Sequence, residues 1–582
     1  MKRNVAALAG QEYDVIVIGG GIFGICAAWD AAQRGLSVVL LEQGDFGHAT
    51  SANHFKMVHG GIRYLQHADL YRIRESSHER SSFLRTAPHL VRPLPIVIPT
   101  YGHGLKGKEA LRAALFLYNL ITFDRNRGIK DPARHIPSGR IISRQEALAM
   151  FPHLDQEGLT GAAIFHDGQM VNPPRLSLAY LKAAVEAGAE TANYVQVTDF
   201  IQVDKRIVGV KARDKLSGDD LEVRGRVVVN AAGPWAKWLL ARQIGLQLNP
   251  EPTFSRDAYF IVPRPLISDH ALAIQGQTKD PDAILSRGNR HLFVVPWRDY
   301  TLIGVWHIVH QGAPEAFTVT ETDLQGFINE INASYPSLDL TLADVSMWNA
   351  GLTLFGENTP GATHLSYGKR SIIIDHAKKH NLDGLITMIG VRYTTARGIA
   401  AQGIDLAFNK LGKQAPQPMT EKTPVYGGQI DCFDDFVQQA ARHFPSSLGN
   451  EVIRHLLHNH GAAYRDVLKY IDEDRTWAEQ IGGSKTIKAE VIHAVRDEMA
   501  QKLGDVILRR TDLGTAEYPG ESVIRICAEL MASELNWTNE HTQQEIAEVE
   551  ARFPTFLKKN DGSVQIDLDP EVEVQPALNQ AI

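Results

Sequence analysis

The sequence predicts an α/β fold in which a parallel sheet covered by helices carries an inserted antiparallel sheet and is followed by an all-helical C-terminal domain. Three observations predict it. A β-branched run from Tyr13 to Ile18 passes through a glycine turn into a helical pattern. Strand-like runs recur downstream with a hairpin signal between two of them. Beyond about Pro424 the apolar residues settle into three- and four-residue spacing.

At roughly 150 residues per domain, the 582-residue chain allows two to four domains and a large buried core. Its 44% apolar and 22% charged residues exclude wholesale disorder. Lys+Arg at 60 against Asp+Glu at 67 leaves no global basic field, so no nucleic-acid partner is expected. The three cysteines, Cys26, Cys432 and Cys527, are too far apart for a redox pair or a zinc knuckle, and their odd number fits reduced thiols and a cytoplasmic location. The start of the chain is too poor in apolar residues for a signal peptide. No run reaches the roughly 18 apolar residues of a membrane span, so any membrane contact is expected to be peripheral.

The strand Tyr13 to Ile18 runs into Gly19-Gly20-Gly21-Ile22-Phe23-Gly24, then a helix through Ala28, Ala31 and Ala32 to Gly35, then a second strand, Ser37 to Leu41, ending in Glu42. This closes a βαβ unit of about 30 residues. From Ser51 to Arg63 the chain is small and polar, a loop leading into a charged helix over Asp69 to Leu90 that the Pro-rich stretch Pro88 to Pro99 breaks. Strands are predicted at Leu221 to Val229, Leu292 to Val295, Thr301 to Val305 and Leu385 to Ile389, with Pro296 to Tyr300 as a hairpin turn. Helices are predicted at Phe433 to Phe444, Ser447 to His458, Ile487 to Leu503 and Val523 to Leu535, and the acidic end from about Lys559 is read as a loose tail. No solenoid repeat is visible.

The glycine motif carries the most weight because of its context. Gly19 makes the tight turn, Gly21 lets the backbone approach a pyrophosphate, Gly24 allows close helix packing, and Glu42 at the end of the next strand accepts from ribose hydroxyls. The unit alone leaves FAD and NAD both open. Two later segments favour a flavin: Val227 to Trp235, a buried strand running into a small-residue turn, and Ile389 to Arg397, a strand, glycine turn and helix start that sets N–H groups where a reduced flavin ring would be stabilised.

At these residues the chain resembles the FAD-dependent glycerol-3-phosphate dehydrogenases and oxidases, within the D-amino-acid-oxidase-like flavoproteins. The likeness runs from residue 13 to about 515 and includes Ala49-Thr50-Ser51, His59-Gly60-Gly61-Ile62-Arg63-Tyr64-Leu65, Ala232-Gly233-Pro234-Trp235, Tyr393-Thr394-Thr395 and Leu508 to Gly514. The HGGxRYL segment is the specific one. The resemblance implies a Rossmann-type FAD-binding domain with an inserted antiparallel substrate domain, together spanning 1–424. FAD-binding segments are expected at about 13–100, 150–250 and 370–415, and cap segments at about 100–150 and 250–370. A helical domain over 425–558 and a tail over 559–582 complete the expected organisation.

It also implies roles. Gly19, Gly21, Ile22, Phe23, Gly24, Glu42 and Gln43 would hold the ADP half of FAD, and Thr50, Ser51, Lys56, His59, Gly60 and Gly61 would line the flavin. Val197, Ala232, Gly233, Trp235, Gly390, Arg392, Tyr393, Thr394 and Thr395 would complete the cofactor site. Arg63, Tyr64 and Arg392 would form the substrate pocket, Arg392 standing where the family usually has lysine. His59 is the first candidate for the base and His307 the second, with a structural role for His59 equally open. No metal is expected: the histidines at His376/His380 and His455/His458/His460 lack a completing Cys or paired carboxylate.

Two departures stand out. Where the family reads SGVRPL, this chain reads Ala350 to Phe355 and puts Thr353 in place of the arginine. Where it has a GTTD turn, Gly304 to His307 stands, and Lys369 or Arg370 could replace a later arginine only by a loop shift. The function implied is oxidation of a polyol phosphate, glycerol 3-phosphate first, with quinone or oxygen as acceptor. Oxidation of another polyol phosphate, hydroxy acid or amine and a non-catalytic flavin-binding role stay open as alternatives. A homodimer is compatible with the sequence. The basic apolar stretch from Lys106 to Ile121 reads either as a helix lying on a membrane or as a core helix. Arg509-Arg510 reads either as a solvated face or as a tie between the C-terminal and flavin domains.

Overall fold

Alternate residues of the first strand, Glu12–Ile18, feed two apolar layers, one of helices and one built largely from the strands Val195–Val203 and Arg206–Asp214. Val15 and Val17 pack with Trp29, Tyr180 and Ala400 on one side, while Ile16 and Ile18 pack with Phe200, Val228 and Leu240 on the other. A strand apolar on both faces must be covered on both, which is the condition of a parallel sheet. This computed structural model describes residues 1–104, 107–246, 253–279, 289–354, 370–445 and 447–553. Within them the parallel strands run in the order Leu385–Ile389, Asp220–Asn230, Glu12–Ile18, Val38–Leu41, Glu190–Ala192, with Ile372–Asp375 antiparallel at one edge. The order places the ends of Glu12–Ile18 and Asp220–Asn230 side by side, so Gly19 and Ala231 meet where the phosphate turn must sit.

The second sheet runs Met347–Leu354, Thr253–Val262, Tyr300–Gln311, Asn289–Trp297, Ala271–Lys279, Val91–Tyr101, Leu159–Met170, Met57–Val58. The expected hairpin is present, with Trp297 paired to Tyr300 and Arg298 at a φ of +55° in the turn. The helix Leu70–Thr86 ends before Pro88, and the proline stretch beyond it, for which no element is predicted from sequence, is a strand, Val91–Tyr101. Pro93, Pro95 and Pro99 share one parity along it, so their missing donors fall on the side away from Leu159–Met170, where pairing with Ala271–Lys279 is confined to Ile96 and Val97.

The C-terminal segment is helical as expected, with shifted limits: Phe433–Ala440, Asn450–His460, Lys488–Glu498 and Glu521–Leu535. The third ends early because Met499 adopts a left-handed φ of +55°, and a π-helical turn, Val506–Arg510, follows. The reading of a loose tail falls on 559–582, outside the described residues. No helix among the described residues is long and apolar enough to cross a membrane.

Candidate active site

The helix Ile22–Gln33 starts at Gly21 with its first amides facing the turn. Gly19 takes a φ of +102°, and a Cβ there would stand 2.7 Å from the carbonyl oxygen of Ala231; one on Gly24 would stand 1.9 Å from that of Gly19. Only glycine allows this approach. The Glu42 carboxylate accepts from the amides of Gly20 at 2.5 Å and Gly44 at 2.8 Å, which fixes its direction and leaves lone pairs for two hydroxyls. Ser51 Oγ accepts from the amide of Ile22 at 3.0 Å and ties the polar loop to the helix start. Gln43 is half-buried beside Glu42, and Val197 is buried in the apolar layer beneath that strand end.

The late glycine turn closes the cradle from the other side. A Cβ on Gly390 would meet the Phe23 ring at 2.0 Å, so the first helix and the last parallel strand are in contact there. The amide of His59 donates to Thr394 Oγ1 at 3.3 Å. Arg392 donates to Tyr64 Oη at 3.2 Å, Ser76 Oγ at 3.4 Å and Glu75 Oε2 at 3.2 Å, so this cation is half-neutralised and aimed at the HGGIRYL turn. Arg63 is exposed on the turn Ile62–His67. Arg370 stacks over the Tyr71 ring at 5.1 Å; Lys369 lies outside the described residues. Thr395 caps the carbonyl of Arg392 at 3.5 Å. Two expected cofactor residues spend their polar atoms elsewhere. Tyr393 Oη pairs with Ser177 at 2.9 Å, and the indole N–H of Trp235, beside Ala232 and Gly233, donates to Glu315.

Gly60 and Gly61 are buttressed by groups that the motif does not announce. The amide of Gly60 donates to Asp167 at 2.6 Å, Arg80 binds the same carboxylate at 2.8 Å, and Tyr118 Oη donates to the Gly60 carbonyl at 3.0 Å. A Cβ on Gly60 would fall 2.2 Å from Arg80 Nη1. His59 sits beside this cluster. Burial first, then Arg392 and Arg80, push its pKa down to about 3, which makes it a weak proton acceptor at neutral pH.

The antiparallel sheet supplies the opposite wall. Across its ladders Tyr259 faces Gly304 and Asn349, Asp257 faces His307 and Gly351, and Ser255 faces Thr353. Directly opposed residues share a face. That face looks onto the polar loop, since Cβ positions at Gly304 and Gly351 would touch the Phe55 ring at 2.8 Å and Thr50 Cγ2 at 3.0 Å. Thr50 Oγ1 also donates to the Leu352 carbonyl at 3.0 Å. On this wall His307 Nδ1 lies 2.6 Å from Asp257 Oδ1, and Ser255 Oγ donates to the same carboxylate. Lys56, held at a φ of +57°, sets its ammonium over Trp297 at 4.5 Å and Tyr259 at 5.6 Å. Burial first, then Arg298, push its pKa down to about 7.

The residues present fit FAD. Two glycine turns with no room for a Cβ face a helix N-terminus, and His54 Nε2, Tyr259 Oη and Asn349 Nδ2 are buried polar atoms without a protein partner around the loop. Sequence reasoning missed Asp167, Arg80 and Asp257, whose relevance depends on long-range pairing with no local motif.

Fold and site together define a flavin-dependent oxidoreductase. Residues 14–390 match the family described as FAD dependent oxidoreductase, and residues 418–542 match the C-terminal domain of alpha-glycerophosphate oxidase. The chain is 32% identical to glycerol-3-phosphate dehydrogenase 2 of Mycobacterium bovis over 95% of its length and 90% of that protein's. It is 30% identical to the glycerol-3-phosphate dehydrogenase of a Synechocystis species over 96% and 98%. It belongs to the FAD-dependent glycerol-3-phosphate dehydrogenase family, and its cofactor is FAD. Its fold is that of the Bacillus halodurans glycerol-3-phosphate dehydrogenase solved with FAD, with a TM-score of 0.73 at 23% identity over 97% of this chain and 98% of that one.

Proposed function

We propose that the protein oxidises a polyol phosphate at a secondary hydroxyl, converting glycerol 3-phosphate to dihydroxyacetone phosphate, and passes the electrons to a quinone. The observation that carries this reading is the guanidinium of Arg392 set on Tyr64 of the HGGIRYL turn, with Arg63 on the same turn and Arg370 nearby as further cations for a phosphate. FAD, when bound, supplies the hydride acceptor. Gly19 to Gly24 and Glu42 would hold its ADP half, and Thr50, Ser51, Lys56 and the turn Gly390 to Thr395 its ring.

The chain's own part in the chemistry is to position and to move one proton. As the carbinol C–H leaves as hydride, the hydroxyl proton goes to His307 and the carbonyl forms. His307 is favoured over His59 because Asp257 orients its ring at 2.6 Å and stabilises the imidazolium that forms, whereas burial first and then two arginines oppose protonation of His59.

A second reading is favoured by Thr353 together with Asp257. The wall that carries an arginine in the family here carries a hydroxyl beside a carboxylate, which suits a longer polyol phosphate with further hydroxyls beyond the oxidised carbon. Anaerobic bleaching of flavin absorbance decides between them. Fast bleaching by glycerol 3-phosphate supports the first reading. Bleaching only by longer polyol phosphates supports the second, and bleaching by neither defeats both.

Peripheral membrane contact is supported by the helix Lys108–Ile121, where only Leu115 and Tyr118 are buried. Phe116 is 67% exposed and Phe123 78%, and Leu117 and Leu120 are exposed with them. Arg112 is exposed on the same helix, an arrangement suited to an anionic lipid surface and to delivery of electrons to a membrane quinone.

A further inference from the structure

We propose that Arg509 and Arg510 are positioning residues for the ADP half of FAD: from the C-terminal helical segment they clamp Asp45 and so hold the loop that carries Glu42. The proposal rests on the reading of Glu42 as the ribose acceptor and is independent of the substrate.

Asp45 stands three residues beyond Glu42, and its side chain is fully buried. Arg509 Nε reaches Oδ2 at 2.5 Å, while Arg510 Nη1 and Nη2 grip Oδ2 and Oδ1 at 2.7 and 2.8 Å. Asn193 Nδ2 adds a contact at 3.2 Å. Burial opposes ionisation of this carboxyl, yet Arg510 and Arg509 hold its pKa well below the usual carboxylate range. Both arginines come from the single π-helical turn Val506–Arg510. Each is fixed from behind, Arg509 by Asp505 at 2.7 Å and Arg510 by the Glu498 carbonyl at 3.0 and 3.1 Å.

The clamped loop is tied at its other face to the phosphate turn. The amide of Gly47 donates to the Gly20 carbonyl at 2.9 Å, and Glu42 itself binds Gly20 and Gly44. A shift of Asp45 is therefore transmitted to both the ribose acceptor and the pyrophosphate amides.

The clamp is not needed merely to join the two parts of the chain. An adjoining buried cluster does that through the Glu498 side chain, which binds Arg175 at 2.6 Å and Lys182 at 3.1 Å; it meets the clamp only at backbone carbonyls, Arg510 on that of Glu498 and Arg175 on that of Arg510. His460 and His493 pack beside it in a group whose spacing would suit a metal ion. There the guanidinium and ammonium already take the Glu498 lone pairs, and Arg175 also meets His460 Nδ1 at 3.0 Å. A buried ion pair is weak evidence for net stability, and in some proteins its role is to fix geometry. The pair on Asp45 fixes the geometry of the cofactor loop.

The test follows FAD released on dilution of the holoenzyme, by its fluorescence, in Arg509→Gln, Arg510→Gln, Glu42→Gln, the Glu42→Gln/Arg510→Gln double variant and Glu498→Gln, with melting temperatures alongside. Arg509→Gln keeps the bidentate Arg510 grip and is the milder variant. Expected are a Kd for FAD raised at least tenfold in Arg510→Gln and at least threefold in Arg509→Gln. The double variant should be no weaker than the worse single, because both changes act through one acceptor. Glu498→Gln should lower the melting temperature without raising the Kd. Unchanged affinity in Arg509→Gln and Arg510→Gln, additive losses in the double variant, or an equal loss in Glu498→Gln would overturn the clamp. Unchanged affinity in Glu42→Gln would instead remove the reading of Glu42, and the proposal with it.

Discussion

His307 and Asp257 lie 2.6 Å apart on opposed positions of neighbouring strands, on the sheet face that looks onto Thr50 and Phe55. A carboxylate behind an imidazole fixes its tautomer and stabilises its protonated form. General-base catalysis is commonly worth about 10² to 10⁴ in rate. His307→Asn is therefore expected to slow anaerobic flavin reduction at least a hundredfold, and Asp257→Asn about tenfold. His59→Asn should change the rate less than threefold. A large loss in His59→Asn with none in His307→Asn would reverse the assignment.

Arg392 is shared between Tyr64 and Glu75. A charged hydrogen bond is worth about 1.5 to 3 kcal/mol, a factor of about ten to a hundred. Arg392→Gln should raise the KM for a phosphorylated substrate by that factor while leaving the KM for its unphosphorylated analogue unchanged. Equal effects on both would place the phosphate elsewhere.

Thr353 stands opposite Ser255, one pair along from Asp257. Thr353→Arg introduces a cation with a carboxylate at hand to orient it. An increase of about tenfold in kcat/KM on glycerol 3-phosphate is expected. A decrease would mean that the wall is built for a different substrate end.

Acid should weaken the fold earlier than carboxylate titration alone would bring about. Burial, as the first cause in each, pushes His54, His59 and His89 down to about 3. Their unfolded value is about 6.5. Between these limits the unfolded chain binds protons that the native state refuses, so their contribution is complete above pH 6.5 and is lost as pH falls. His166, His376 and His458, pushed down to about 4 chiefly by burial, add to this, while Glu490, raised to about 8 chiefly by burial, and the raised carboxyls of Asp30, Glu75 and Asp167 work in the opposite direction. The melting temperature should fall steadily from pH 6.5 to 4.5, with a shallower slope in His89→Gln. A flat profile would show that these rings accept protons in the native state.

The exposed Phe116, Leu120 and Phe123 predict that the full chain sediments with anionic vesicles and that the Phe116→Ser/Leu120→Ser/Phe123→Ser variant does so at least fivefold less. Binding equal in the two proteins would remove this helix from the contact.

The parallel unit and the glycine turn were legible because their signals are local: a β-branched run, no room for a Cβ, an acidic strand end. The strand Val91–Tyr101 was not, because prolines argue against a strand unless the open side of the ladder is known, and that is a property of partners some 70 residues away. Asp257 was invisible for the same reason. It gains meaning only through the register that sets it against His307. Arg509 and Arg510 were legible as a candidate tie between the two domains, but their acceptor was not, since Asp45 carries no motif of its own.

Gly390 pressed against Phe23 has a consequence for biogenesis. The sheet assembles strands from residues 12, 220 and 385 side by side, so the cofactor cradle cannot close on a nascent chain until Gly390 has left the ribosome. The arginines that grip Asp45 arrive later still. Such long-range pairing slows folding, and the N-terminal βαβ unit must wait, incomplete, through most of synthesis. Truncated chains ending before the last parallel strand are accordingly expected to be substrates for chaperones or proteases rather than carriers of flavin.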